Sequence, residues 1–112
     1  LQTLAFEGLG KYAHEKGTRE IYHYPRGWFP SETAFSKSTR GGDEDQGYCV
    51  TLATNIADYQ SEAWIFDAKN ITAGPITRIA VPGRVPAGFH AAWFYGRDLW
   101  PTTATQRSRV AA

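Results

Sequence analysis

Turn-forming residues separate several short runs of strand-forming residues along this chain. The turn signals are Pro25 and Gly27, Gly41-Gly42, Gly74-Pro75 and Pro82-Gly83. Between them lie runs rich in β-branched and aromatic residues, a composition typical of strands. We predict five strands, mostly antiparallel neighbours, over residues 18–24, 32–37, 47–55, 62–67 and 76–81. The pattern therefore predicts an all-β fold: a sandwich, a barrel or a propeller blade.

The segments outside these five strands are predicted to be irregular. Residues 1–10 are interpreted as an incoming strand or loop, residues 11–17 as a polar turn, and residues 28–31 as a turn with two large aromatics. No helix is expected. Residues 97–112 have no hydrophobic period, and we expect them to form a disordered tail.

Composition indicates one small globular domain or a piece of a larger one. The 112 residues are 42% hydrophobic and 21% charged, values that suit a folded chain. The net charge of +1 gives no electrostatic reason to expect nucleic acid as a partner. Cys49 is the single cysteine, which fits a reducing compartment, and we predict a cytoplasmic location.

We recognise no signal peptide and no apolar run long enough to span a membrane. Contact with a membrane surface is expected only through parts of the protein outside this chain. The chain begins with Leu1 rather than Met, and we expect further sequence upstream of it.

One histidine follows a constrained turn. Pro86 fixes its own φ, and Gly88 permits backbone conformations that other residues resist. Phe89, His90 and Trp93 come next, so the turn would hold an imidazole in one direction among apolar neighbours. Histidine is the commonest metal ligand but needs companions, and taken alone this one is more often a core or rim residue.

Four short motifs follow one another in a recognisable order. They are Pro-Ser-Glu at residues 30–32, Asp-Glu-Asp-Gln-Gly-Tyr at 43–48, Ser-Glu-Ala-Trp-Ile-Phe-Asp-Ala at 61–68, and Val-Pro-Gly-Arg-Val-Pro-Ala-Gly-Phe-His at 81–90. Together they resemble the C-terminal portion of the carotenoid cleavage oxygenases, a family that includes the lignostilbene dioxygenases. The resemblance runs from about residue 24 to residue 93. One departure is Ala91, since the family usually has glycine there, and its methyl group could shift the backbone.

The resemblance implies a larger fold and a metal. Family members are seven-bladed β-propellers, several times longer than this chain, in which four histidines from different blades hold a non-haem Fe(2+). It implies that His90 is the last of these iron ligands, and that Glu32 hydrogen-bonds a ligand imidazole from outside. Residues 1–96 would be a C-terminal propeller fragment, and the missing N-terminal blades would supply the other three histidines.

The resemblance also implies a reaction. The iron activates O2, which cleaves a carbon–carbon double bond of a hydrophobic conjugated substrate, such as a carotenoid, apocarotenoid or stilbene, into two carbonyls. We expect the fragment alone to be inactive. Two other interpretations stay open: a catalytically inactive β module kept for structure or binding, and an unrelated small β protein. Three further histidines upstream would favour the enzyme.

Other candidate residues receive simpler interpretations. His14 and His23 match no ligand position of the family, and we expect them on the surface or in packing. The acidic run at residues 43–45 is interpreted as a solvated loop rather than a cation site. Trp28, Trp64 and Trp93 could line a hydrophobic substrate tunnel, but aromatics of β proteins are more often core residues. Trp93 is the best tunnel candidate because it lies close to His90.

Overall fold

The structure, a computed structural model, describes residues 5–100. It contains a 3-10 helix at Ile71–Ala73, one helical turn α1 (Gly96–Leu99) and seven strands: β1 (Gly8–Ala13), β2 (Thr18–His23), β3 (Trp28–Pro30), β4 (Ala34–Lys37), β5 (Gly47–Asn55), β6 (Ser61–Asp67) and β7 (Thr77–Val81). All strand pairs are antiparallel. The all-β prediction is confirmed, and its five strands correspond to β2, β4, β5, β6 and β7.

Strand β5 organises the larger sheet, because three other strands pair with it. β6 lies along one edge of β5, and β7 continues the sheet beyond β6. Along the other edge of β5 lie both β3 and β4. The nine residues of β5 carry no charged side chain and include Val, Thr and Tyr, which favour strands.

Strands β3 and β4 are two halves of one interrupted edge strand. Pro30 pairs with Ala53, and Ala34 pairs with Val50. Three residues, 31–33, separate the halves, whereas only two residues, 51–52, separate their partners on β5. One extra residue on one strand of a pair is a β-bulge, which bends the strand and re-aims its side chains. Strand β4 therefore begins two residues later than the strand predicted at 32–37. Three of the four residues predicted as a turn at 28–31 belong to strand β3.

Strands β1 and β2 form a separate two-stranded hairpin. Its turn spans residues 14–17, where Gly17 has a φ of +62° and donates its N–H to the His14 carbonyl. The prediction of a turn over residues 11–17 was wrong for residues 11–13, because these three residues belong to β1.

The core lies between this hairpin and one face of the larger sheet. Trp64 and Phe66 of β6 are fully buried there. The Tyr22 ring meets the edge of Phe66 with centroids 5.1 Å apart, and Tyr24 lies 5.2 Å from Trp64. Burying one such side chain contributes about 1.5–3 kcal/mol, so these four rings are the main attachment of the hairpin to the sheet.

The opposite face of the larger sheet is partly open within the described residues. Tyr48 and Leu52 of β5 and Ile79 of β7 are 50%, 37% and 52% exposed. Residues that follow β7 return across this face, and they include His90. Among the described helices, none has the length and apolar character needed to cross a membrane.

Candidate metal-binding segment

The residues that carry His90 cross the sheet without secondary structure of their own. We call residues 82–91 the His90 segment. It leaves β7 after Val81 and turns at Gly83, whose φ is +97°. It then passes the ends of β6 and β5 and reaches the bulge between β3 and β4. An irregular segment must bond its backbone groups to side chains, loops or water.

Two hydroxyl groups hold the first part of the segment. The Val85 N–H donates to Ser61 Oγ at 2.8 Å, and the Val85 carbonyl accepts from Thr54 Oγ1 at 3.0 Å. These two oxygens lie 2.8 Å apart on the paired residues of β5 and β6. Ser61 is 1% exposed, so the Val85 backbone is fixed to the interior of the sheet.

The bulge holds the second part of the segment. The Gly88 N–H donates to Ser31 Oγ at 3.1 Å, and the Glu32 N–H donates to the Gly88 carbonyl at 3.2 Å. The Ala91 N–H donates to the Glu32 carboxylate, 2.5 Å from Oε2. Two bulge residues therefore hold the backbone on both sides of His90.

The bulge is itself fixed to β5. The Ser31 N–H donates to the Leu52 carbonyl at 2.7 Å, and the Ser31 carbonyl accepts from Thr51 Oγ1 at 2.9 Å. Thr51 is 2% exposed. The central strand thus determines where Glu32 lies, and Glu32 determines where Ala91 lies.

This arrangement brings the two predicted site residues together. The His90 Nδ1 lies 3.7 Å from Glu32 Oε2, which is beyond hydrogen-bond length. The His90 side chain is 96% exposed and that of Glu32 is 42% exposed. A carboxylate beside one ring nitrogen fixes the tautomer, and the other nitrogen is then free to bind a metal.

Two positions of this segment have an ordinary backbone conformation. Gly88 lies outside the left-handed region, and an added Cβ would meet Ser31 Oγ at an ordinary 3.8 Å. The residue that uses the freedom of glycine is Gly83. Ala91 is exposed, and the only non-glycine residue with positive φ in the described part of the chain is Tyr59. The methyl group of Ala91 therefore introduces no strain of the left-handed kind.

The remaining histidines lie far from this segment along the chain. His14 is exposed in the β1–β2 turn, and His23 is exposed at the end of β2. Between residues 5 and 100, no cluster of three or more His, Cys, Asp or Glu side chains is placed to hold a metal. A metal bound by His90 therefore needs ligands from outside the described residues.

The acidic loop is engaged in ion pairs with lysines. Asp45 Oδ2 lies 2.6 Å from Lys11 Nζ, and Asp43 Oδ2 lies 2.6 Å from Lys69 Nζ. The hydrogen bond from Lys11 lowers the pKa of the Asp45 carboxyl. These contacts join the loop to β1 and to the residues after β6.

Three of the four tryptophans, Trp28, Trp64 and Trp93, differ in their surroundings. Trp28 packs against the buried Trp64 with ring centroids 5.2 Å apart, and Arg78 lies over both rings at 4.7 and 4.3 Å. Both are core residues, as predicted. Trp93 is 46% exposed and follows His90 by three residues.

Sequence reasoning missed the hydroxyl groups of Ser31, Thr54 and Ser61. Two of the three belong to motifs described above: Ser31 lies in the motif of residues 30–32 and Ser61 in the motif of residues 61–68. A serine or threonine at a strand end is too common to attract notice. The local sequence carries no signal for these three residues, because their position beside the glycine- and proline-rich segment exists only in the folded structure.

Comparison with known proteins gives consistent matches. Residues 2–95 match the family model described as RPE65, retinal pigment epithelial membrane protein. Resveratrol cleavage oxygenase 1 of Chaetomium globosum is 31% identical over 94 residues, which is 83% of this chain and 15% of that protein. The carotenoid 9,10(9',10')-cleavage dioxygenase of Crocus sativus is 36% identical over 86 residues, which is 74% of this chain and 16% of that protein.

Solved structures match as well. Lignostilbene dioxygenase of Pseudomonas brassicacearum superposes with a TM-score of 0.76 at 27% identity, over 82% of this chain and 19% of that one. A cobalt-substituted apocarotenoid oxygenase of Synechocystis gives a TM-score of 0.72 at 26% identity, over 78% of this chain and 18% of that one. The chain thus spans less than a fifth of the length of each of these relatives.

Proposed function

Because this chain belongs to the family of the retinal pigment epithelial membrane protein, we propose that it is part of a non-haem Fe(2+) dioxygenase. The reaction proposed for the whole protein is oxidative cleavage of a carbon–carbon double bond, in which each of the two carbons receives one oxygen atom of O2. The proposal concerns the whole protein, since the chain spans only 15% and 16% of the two relatives described above.

The observation that carries the proposal is the pairing of Glu32 with His90 across the bulge. Glu32 Oε2 lies beside His90 Nδ1, so an N–H at Nδ1 would face a carboxylate. With the proton on Nδ1, the lone pair of Nε2 would be available to a metal, because the His90 side chain is 96% exposed. A histidine that binds a metal usually donates its other ring N–H to a carboxylate, a backbone carbonyl or water.

The donor type fits iron. Neutral imidazole suits Fe, Zn, Cu and Ni, and geometry and availability decide among them. The Synechocystis relative exists in a cobalt-substituted form, which supports a divalent first-row metal. When bound, the metal would supply the activation of dioxygen. The residues of this chain would hold one imidazole and fix its orientation and its proton.

The substrate class is proposed from the relatives. Their names include resveratrol, isoeugenol and lignostilbene as well as carotenoids. All of these are hydrophobic molecules with a conjugated carbon–carbon double bond, so we propose the same class here. Trp93 is the candidate for substrate contact, because it is the exposed tryptophan nearest to His90 in the chain. A cytoplasmic location stays a prediction.

The reaction can be tested with the full-length protein loaded with Fe(2+). A stilbene and an apocarotenoid are incubated separately under ¹⁸O2, and the products are identified by mass spectrometry. We expect two carbonyl products from at least one substrate, with activity lost on chelation and restored by Fe(2+). Cleavage that persists after complete removal of the metal would contradict the proposal.

A further inference from the structure

We infer that the hydroxyl groups of Thr54, Ser61 and Ser31 position the His90 imidazole by fixing the backbone of the segment that carries it. We call these three residues the hydroxyl clamp. The inference rests on the proposed function, since it concerns how His90 is presented to a metal. It adds three positioning residues that lie on strands β5 and β6 and in the bulge.

The first part of the clamp is a closed ring of three hydrogen bonds. Thr54 donates its only hydroxyl hydrogen to the Val85 carbonyl at 3.0 Å. The hydrogen between Thr54 and Ser61, whose oxygens are 2.8 Å apart, must therefore come from Ser61. The Val85 N–H donates to Ser61 Oγ at 2.8 Å and completes the ring. Each hydroxyl both donates and accepts, so all three bonds polarise one another.

The ring provides hydrogen-bond partners for the N–H and the carbonyl of Val85, which does not belong to a strand and has no strand partner. Ser61 is 1% exposed, and Thr54 and Val85 are half-buried. Removing one hydroxyl would leave buried donors and acceptors without partners, which costs more than the bond itself. The ring therefore favours one path of the chain over its alternatives.

The second part of the clamp lies two residues before His90. Ser31 Oγ accepts from the Gly88 N–H at 3.1 Å, while the Gly88 carbonyl accepts from the Glu32 N–H at 3.2 Å. With Val85 and Gly88 both fixed, only Phe89 lies between the clamp and His90. The imidazole then has little freedom beyond its own side-chain rotation, and this is the degree of positioning that a metal ligand needs.

Thr54 offers a matched pair of variants for the test. Thr54→Val keeps the shape and removes the hydroxyl, whereas Thr54→Ser keeps the hydroxyl and removes a methyl group. Thr77→Val makes the same exchange at an exposed position of β7. All are made in the full-length protein, beside Ser31→Ala as an independent variant at the second part of the clamp.

Three properties are measured for each variant. They are hydrogen exchange of the peptide covering residues 82–91, the affinity for Fe(2+) in competition with a chelator, and the visible absorption of the Co(2+)-substituted protein. For Thr54→Val we expect faster exchange in this peptide, metal affinity lowered about 10-fold or more, and shifted cobalt bands. Thr54→Ser should restore all three, and Thr77→Val should resemble the unaltered protein.

The outcomes separate the clamp from the proposed function. If Thr54→Val leaves metal affinity and cobalt bands unchanged, whether or not exchange accelerates, the clamp does not position His90 and the inference is wrong. If Thr54→Val does not fold, Ser31→Ala decides by the same criteria. Loss of metal in His90→Ala would support the proposed function even where the clamp variants behave like the unaltered protein.

Discussion

At the scale of single residues, Glu32 does two things with one oxygen atom. Its Oε2 accepts the Ala91 N–H and lies 3.7 Å from His90 Nδ1. One side chain thus holds the backbone after the histidine and faces the ring of the histidine itself. These two contacts can be separated by substitution.

We predict that Glu32→Gln weakens metal binding less than Glu32→Ala does. The glutamine oxygen can still accept the Ala91 N–H, but the negative charge beside the ring is lost; a decrease of about 10–100-fold in metal affinity is typical for such neighbours. Glu32→Ala loses both contacts. The measurement is Fe(2+) affinity in the full-length protein, with Glu15→Gln in the β1–β2 turn as the charge-matched control. Equal affinities in Glu32→Ala and the unaltered protein would exclude the role.

The sequence could predict the two residues of the site but not what holds them. His90 and Glu32 stand in motifs of residues 81–90 and 30–32, and the structure places them side by side. Their roles toward a metal stay predictions. The supports from Thr54 and Ser61 depend on strand pairing between β5 and β6, which brings them opposite each other. No pattern in the sequence around Thr54 or Ser61 indicates that these two residues pair.

At the scale of elements, local composition predicted strands well and their interruptions poorly. The prediction for β5 was correct to its ends because its β-forming run is bounded by Gly47 and Asn55. The bulge at residues 31–33 was missed, since it arises from a mismatch in length against β5. For β1, residues 8–10 were left open between strand and loop and residues 11–13 were assigned to a turn, because two glycines obscure its alternation of exposed and half-buried residues.

Strand β4 approaches β5 so closely that Gly47 has no room for a side chain. An added Cβ would collide with the Ser36 carbonyl oxygen and lie 3.0 Å from the Lys37 Cα. We predict that Gly47→Ala lowers the midpoint of thermal unfolding of the full-length protein. Overpacking typically lowers the free energy of unfolding by about 1–3 kcal/mol. Gly96→Ala is the control, because nothing lies within 4 Å of its added Cβ. An unchanged midpoint for Gly47→Ala would show that β4 can move away at no cost.

At the scale of the whole molecule, the described chain is flatter than a self-contained domain. Its principal extents are 50 × 40 × 23 Å, and its radius of gyration is 16.4 Å, against about 13 Å for a compact domain of similar length. The core is confined to one face of the larger sheet, and apolar side chains of β5 and β7 are partly exposed on the other.

The matches to oxygenase structures confirm the propeller-type fold that the motifs implied. Of the predicted disordered tail, residues 97–112, residues 97–99 belong to α1 and residues 101–112 lie outside the described residues.

We therefore predict that the isolated 112-residue chain is marginally folded or aggregates. Exposed sheet edges and apolar faces promote association. Size-exclusion chromatography and thermal unfolding of the purified chain provide the measurement. A monomer with one sharp, reversible transition would show that the chain needs no covering for its open face.

The most direct test of the central claim is the iron content of the full-length protein with His90→Ala, beside His14→Ala and His23→Ala. Iron per protein is determined by elemental analysis, and cleavage of a conjugated substrate is measured on the same samples. We predict that His90→Ala loses nearly all iron and activity, while His14→Ala and His23→Ala, both at exposed positions of the hairpin, retain them. Full iron and full activity in His90→Ala would contradict the assignment of His90 as a metal ligand.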